Sequence, residues 1–89
     1  MSGTDPEIAR LRELLTEVDE RVVAAVNERL ELVAALKRVK VERGIAFSDP
    51  AREEWLLEHL ARSNSGPLSD EGLRALYAEI LALTKRELG

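Results

Sequence analysis

From Pro6 to about Arg43 the chain contains no residue that would break a helix; the first interruption is Gly44. Apolar side chains recur along this stretch at Ile8, Leu11, Leu15, Val18, Val22, Ala25, Val26, Leu32, Val33, Leu36 and Val39, mostly in alternating steps of three and four. That is a heptad-like stripe on one helix face. Thr4 or Asp5 supplies a side-chain oxygen to cap the start, and Pro6 suits the first helical turn. A helix of this length measures roughly 55 Å at 1.5 Å per residue. A compact monomer of 89 residues has a radius of gyration of about 12 Å, so the helix overshoots it. Its far end must bury its stripe against something else, and a second copy of the chain is the simplest partner.

The remaining sequence reads as two shorter helices. Gly44 ends the first, and Ile45-Ala46-Phe47 forms a short apolar connector. Ser48-Asp49-Pro50 restarts the chain, with a capping oxygen before a proline, and a helix follows from about Asp49 to Arg62 carrying Trp55, Leu56, Leu57 and Leu60. Ser63-Asn64-Ser65-Gly66-Pro67 is the second break. Leu68 and Ser69 open the third helix as staple and cap, and its stripe is Leu73, Leu76, Tyr77, Ile80, Leu81 and Thr84. The fold class is therefore all-α: three helices, the first very long, forming one domain over residues 1–89 with about the first six as a flexible lead.

Composition narrows the chemistry. The absence of Cys removes disulfides and thiolate sites, and a single His leaves little for a metal centre or a nucleophile–base triad. No cofactor and no metal are expected. Thirteen basic against 17 acidic residues give a net charge of −4, which does not suit nucleic acid or an anionic membrane. Met1 to Arg10 contains no apolar run of the kind a signal peptide or a membrane span carries, so the expected location is the cytoplasm.

The informative residues are charges on the apolar stripe. Arg29 lies seven residues after Val22 and seven before Leu36, and Lys40 lies four beyond Leu36, so Arg29, Val33, Leu36 and Lys40 share one face. An inward cation is costly unless it is paired. Either these side chains reach back to the surface along their aliphatic stems, or anions meet them inside the bundle. On the second helix, Asp49, Arg52 and Glu53 cluster in the first turn, with Arg52 and Glu53 on the side continued by Leu56 and Leu60. Alone, that cluster reads as capping chemistry and a solvated Arg. Combined with Arg29 and Lys40, it reads as a cavity of three cations and two carboxylates, suited to a small ligand with several carboxylates and hydroxyls. Arg12 precedes Arg29 by 17 residues, roughly 25 Å along the axis and about 260° around it. The two cannot meet within one chain. In an antiparallel dimer of long helices, Arg12 of one chain can approach Arg29 of the other, although Arg12 equally fits an exposed position beside Glu13 and Thr16.

Leu11-Arg12 in the opening helix, Glu28-Arg29 in its middle, Lys40 near its end and Asp49-Pro50-x-Arg52-Glu53-Glu54 after the connector form a specific spacing. With Asn64-x-Gly66-Pro67 and the Leu76-Tyr77-x-Glu79-Ile80 helix, the chain resembles the all-helical chorismate mutases, the AroQ type, from Ile8 to about Glu87. The resemblance implies an intertwined homodimer whose two sites each draw residues from both chains. It implies that Arg12 from the partner and Arg29 grip the substrate carboxylates, and that Lys40 contacts a carboxylate and the ether oxygen. Asp49 and Glu53 would lie near the ring hydroxyl, Arg52 would support the charged network, and Thr84 stands where the family has a small hydroxyl residue. Some relatives pair with the first enzyme of aromatic biosynthesis, a partner the resemblance also brings into view. One departure stands out. Leu88 occupies the place where the family carries Gln or Glu at the ether oxygen, and Glu87 is one position away.

Conversion of chorismate to prephenate is a unimolecular pericyclic step that needs no nucleophile, metal or redox group. It needs the enolpyruvyl arm held over the ring and positive charge where the breaking C–O bond gathers electrons. A dianionic substrate also accounts for Arg29 and Lys40 on an inward face. Two readings remain beside it. One is a related activity on the same scaffold, a 4-amino-4-deoxychorismate mutase or an isochorismate pyruvate lyase. The other is a non-catalytic helical dimerisation or regulatory module in which the charges form ion pairs. His59 is expected as a surface or packing residue, and Trp55 as a cover over the bundle.

Overall fold

The computed structural model describes residues 5–89. It contains three helices and, among the described residues, no strand: α1 (Pro6–Glu42), α2 (Pro50–Ser63) and α3 (Asp70–Leu88). Thr4 and most of the expected flexible lead fall outside the described residues. Asp5 performs the capping: its carboxylate accepts from the backbone N–H groups of Glu7 at 2.8 Å and Ile8 at 3.4 Å, satisfying donors that the first helical turn leaves open.

The end of α1 is set by Gly44. Its φ of +65° lies in the left-handed region that a Cβ disfavours. The reversal lets Ile45 N–H reach the Lys40 carbonyl at 2.8 Å and Gly44 N–H reach that of Val41 at 3.2 Å, the paired bonds of a Schellman motif. The two shorter helices start as their sequences predict. Asp49 accepts from Arg52 N–H at 3.1 Å with Pro50 following, and Ser69 accepts from Gly72 N–H at 2.9 Å. Asn64 closes α2, and its side chain ties the break together by donating to the Leu68 carbonyl at 2.7 Å and accepting from Gly66 N–H.

The chain divides into two compact units, one ending at Leu32 and the other comprising Val33–Gly89. The described part of the first is helix alone. Its stripe, including Ile8, Leu11, Leu15, Val18 and Val22, is exposed. In the second unit α2 packs on α3, and the only buried residues among those described are Leu73 (6% exposed) and Thr84 (7%). Leu56, Leu57, Leu60, Tyr77, Ile80 and Leu81 are half-buried around them. A single copy thus leaves most of its apolar stripe in water, as the excess length of the first helix predicts. No helix among the described residues is long and apolar enough to cross a membrane.

Candidate active site

Within Val33–Gly89, the end of α1 presents Lys40. Its backbone is fixed by the Schellman bonds, and a cation in the last turn complements the helix dipole. The half-buried side chain donates from Nζ to the Phe47 carbonyl at 3.2 Å and lies 5.7 Å from the centroid of the Phe47 ring. Lys37, one turn earlier, lies at the same 5.7 Å from that ring and donates to the Leu88 carbonyl at 3.0 Å. Phe47 therefore has two ammonium groups on its ring, the arrangement its negative π-face favours.

At the start of α2, the Asp49 carboxylate serves as the N-cap described above, so the capping alternative is realised there. Glu53 is half-buried and pairs with Lys85 of α3, Nζ to Oε2, at 3.8 Å. Arg52 and Glu53 do not share a side. Consecutive helical residues diverge by about 100°, and only Glu53 turns toward the half-buried row of Leu56 and Leu60. Arg52 is exposed and stacks on Trp55, with its guanidinium carbon 4.3 Å from the ring centroid. Trp55 in turn stacks on His59 at 4.8 Å with 7° between the planes. Trp55 is engaged by these two side chains and remains 44% exposed.

Thr84 is buried on α3, and its hydroxyl donates to the Ile80 carbonyl at 2.7 Å. Glu87 is exposed and Leu88 half-buried. Leu88 lines a cleft of about 450 Å³ with Ala34, Lys37, Arg38, Val41 and Glu42. Leu88 is the only sequence-predicted site residue in that lining. In the first unit Arg12 is exposed, and its carbonyl accepts from the Thr16 hydroxyl at 3.0 Å. Arg29 is half-buried.

Lys37 and Phe47 were not singled out by the sequence. The i, i+3 spacing of Lys37 and Lys40 signals a shared helix side, but the contact with Leu88 joins residues 51 apart and has no local signature. Among the described residues, no group of three or more His, Asp or Glu could hold a metal ion.

A model of the family described as chorismate mutase type II matches residues 11–87. The bifunctional chorismate mutase/prephenate dehydratase of Stutzerimonas stutzeri is 32% identical over 87 residues, which cover 92% of this chain and 24% of that protein. The chain thus spans about a quarter of the length of such bifunctional relatives. The chorismate mutase of Methanocaldococcus jannaschii is 24% identical over 84% of this chain and 76% of its own. The solved chorismate mutase of Thermus thermophilus, form II, superposes with a TM-score of 0.85 at 34% identity, covering 90% of this chain and 91% of the other.

Proposed function

Because the chain belongs to the type II chorismate mutase family, we propose that it isomerises chorismate to prephenate, a step toward phenylalanine and tyrosine, in the cytoplasm. The observation that carries this reading is the family match across residues 11–87, which spans the whole set Arg12, Arg29, Lys40, Asp49, Arg52, Glu53 and Thr84. In the rearrangement the ether C–O bond breaks as a C–C bond forms between the enolpyruvyl arm and the ring, and no proton changes hands. The protein's task is to hold a dianion in the folded-over conformer and to offset the charge that gathers on the ether oxygen.

Lys40 supplies that charge in this reading. It is half-buried, its turn is fixed by Gly44, and its ammonium rests on a backbone carbonyl that a stronger anionic acceptor can replace. Arg29 and the partner chain's copy of Arg12 hold carboxylates, Arg52 holds or neutralises the remaining anionic edge, and Asp49 and Glu53 face the ring hydroxyl. The dimer follows from the same reading. The exposed stripe Ile8, Leu11, Leu15, Val18 and Val22 would be an aggregation hazard in a monomer and is the kind of seam that a second long helix covers.

Leu88 keeps a second reading beside the first, because its side chain offers no hydrogen bond at the ether oxygen. Aminodeoxychorismate and isochorismate are the alternative substrates. Separate incubations with chorismate, aminodeoxychorismate and isochorismate, with products identified, test the proposal. Prephenate from chorismate is the expected result. Turnover of one of the others alone reassigns the substrate, and turnover of none leaves a non-catalytic helical module.

A further inference from the structure

Arg52, Trp55 and His59 occupy positions i, i+3 and i+7 of α2, which places them in a row along the helix. The row is fully engaged, with the Arg52 guanidinium at 4.3 Å from the Trp55 ring centroid and the His59 imidazole stacked on Trp55 at 4.8 Å. The indole is 44% exposed, so its ring is open to partners as well as packed. Its π-face carries a cation. A guanidinium held over a ring still has N–H donors turned away from it, and these can bond a carboxylate through two parallel hydrogen bonds. An unsupported Arg must also give up rotamer freedom when it binds an anion, whereas a stacked one has already given up much of it.

We propose that Trp55 is a positioning residue for Arg52: its indole, backed by His59, holds the guanidinium ready to receive a substrate carboxylate. This rests on the reading of Arg52 as a substrate-binding residue. Trp55 touches no reacting atom, so its effect belongs in substrate affinity rather than in the rearrangement itself.

Chorismate kinetics of Trp55→Leu, Trp55→Phe, Arg52→Ala and the double variant Arg52→Ala/Trp55→Leu test the proposal. Leu keeps apolar bulk but has no π-face, so Trp55→Leu raises KM by about three- to tenfold and holds kcat within about twofold. Trp55→Phe restores a π-face and returns KM to within about twofold of the original. In the double variant the loss is no greater than in Arg52→Ala alone, because Trp55 acts only through Arg52. An impaired Arg52→Ala beside an unchanged Trp55→Leu overturns the proposal and leaves the site reading standing. Effects of the two substitutions that multiply in the double variant also overturn it, since Trp55 would then act independently. An Arg52→Ala enzyme with unchanged kinetics removes Arg52 from the site, and the proposal falls with it.

Discussion

The Lys40 ammonium donates to the Phe47 carbonyl at 3.2 Å and stands 5.7 Å from the same residue's ring centroid. One connector residue thus anchors a cation at the end of α1 through both its backbone and its side chain. The bond to a neutral carbonyl is weaker than one to a carboxylate or a developing oxyanion, so it orders the ammonium without locking it away from a ligand.

Lys40→Ala accordingly separates catalysis from stability. Removing one electrostatic donor from a transition state lowers kcat by about 10²- to 10³-fold. Lys40 is only half-buried and its backbone bonds remain, so thermal unfolding shifts little. Steady-state kinetics and a melting curve on the same preparation check both halves, and unchanged kcat would remove Lys40 from its role.

Gly44→Ala acts on the same turn through the backbone alone. Nothing lies within 4 Å of where a Cβ would stand, yet φ is +65°. The cost is therefore the left-handed strain of about 1 kcal/mol, with no steric clash added. At fixed protein concentration this lowers the melting temperature by roughly 4–8 °C. An unchanged melting temperature would mean that the Schellman turn does not set the end of α1.

Asp49 serves two readings, and two substitutions divide them. Asp49→Ala removes the acceptor for Arg52 N–H and costs about 1 kcal/mol of stability. Asp49→Asn keeps a capping oxygen and removes only the charge. Stability close to the original with lowered activity in Asp49→Asn supports a place beside the substrate hydroxyl. Full activity in Asp49→Asn confines Asp49 to capping.

The caps and breaks were legible in the sequence because they are local. Asp49, Ser69 and Gly44 each act within a few residues of their own position, and the structure uses all three as their chemistry predicts. The excess length of α1 was legible too, from unbroken periodicity. The side-chain contacts of the site were less so. The sequence pattern suggests one side for Arg52 and Glu53, but a step of about 100° per residue sends Glu53 toward Lys85 and Arg52 onto Trp55. The i, i+3 spacing of Arg52 and Trp55 offered that contact, whereas the meeting of Lys37 with Leu88 depends on how α3 packs and has no counterpart in local sequence.

The shared site can be tested by complementation. Arg12→Ala and Lys40→Ala homodimers should each be nearly inactive. If Arg12 comes from the partner, chains mixed and refolded together regain up to about a quarter of the original activity. Half of randomly formed dimers are mixed, and each mixed dimer has one of its two sites intact. Recovery well above the sum of the separate variants is expected. No recovery, or a monomer in sedimentation at micromolar concentration, contradicts the shared site.

Leu88→Gln addresses the position where the resemblance to the family implies Gln or Glu and this chain has Leu. Leu88 sits half-buried at the end of α3, with its carbonyl held by Lys37 and its side chain in the cleft with Ala34 and Val41. Because the Lys37 bond is to the backbone, the substitution leaves that anchor in place while adding an amide of similar reach. If the end of α3 closes over the ether oxygen, the new donor strengthens as that oxygen gains charge. It then raises kcat about tenfold with little change in KM, the pattern of an interaction made mainly in the transition state. Lowered chorismate turnover, with isochorismate or aminodeoxychorismate processed better by the unaltered chain, would instead make Leu88 a substrate-selecting residue.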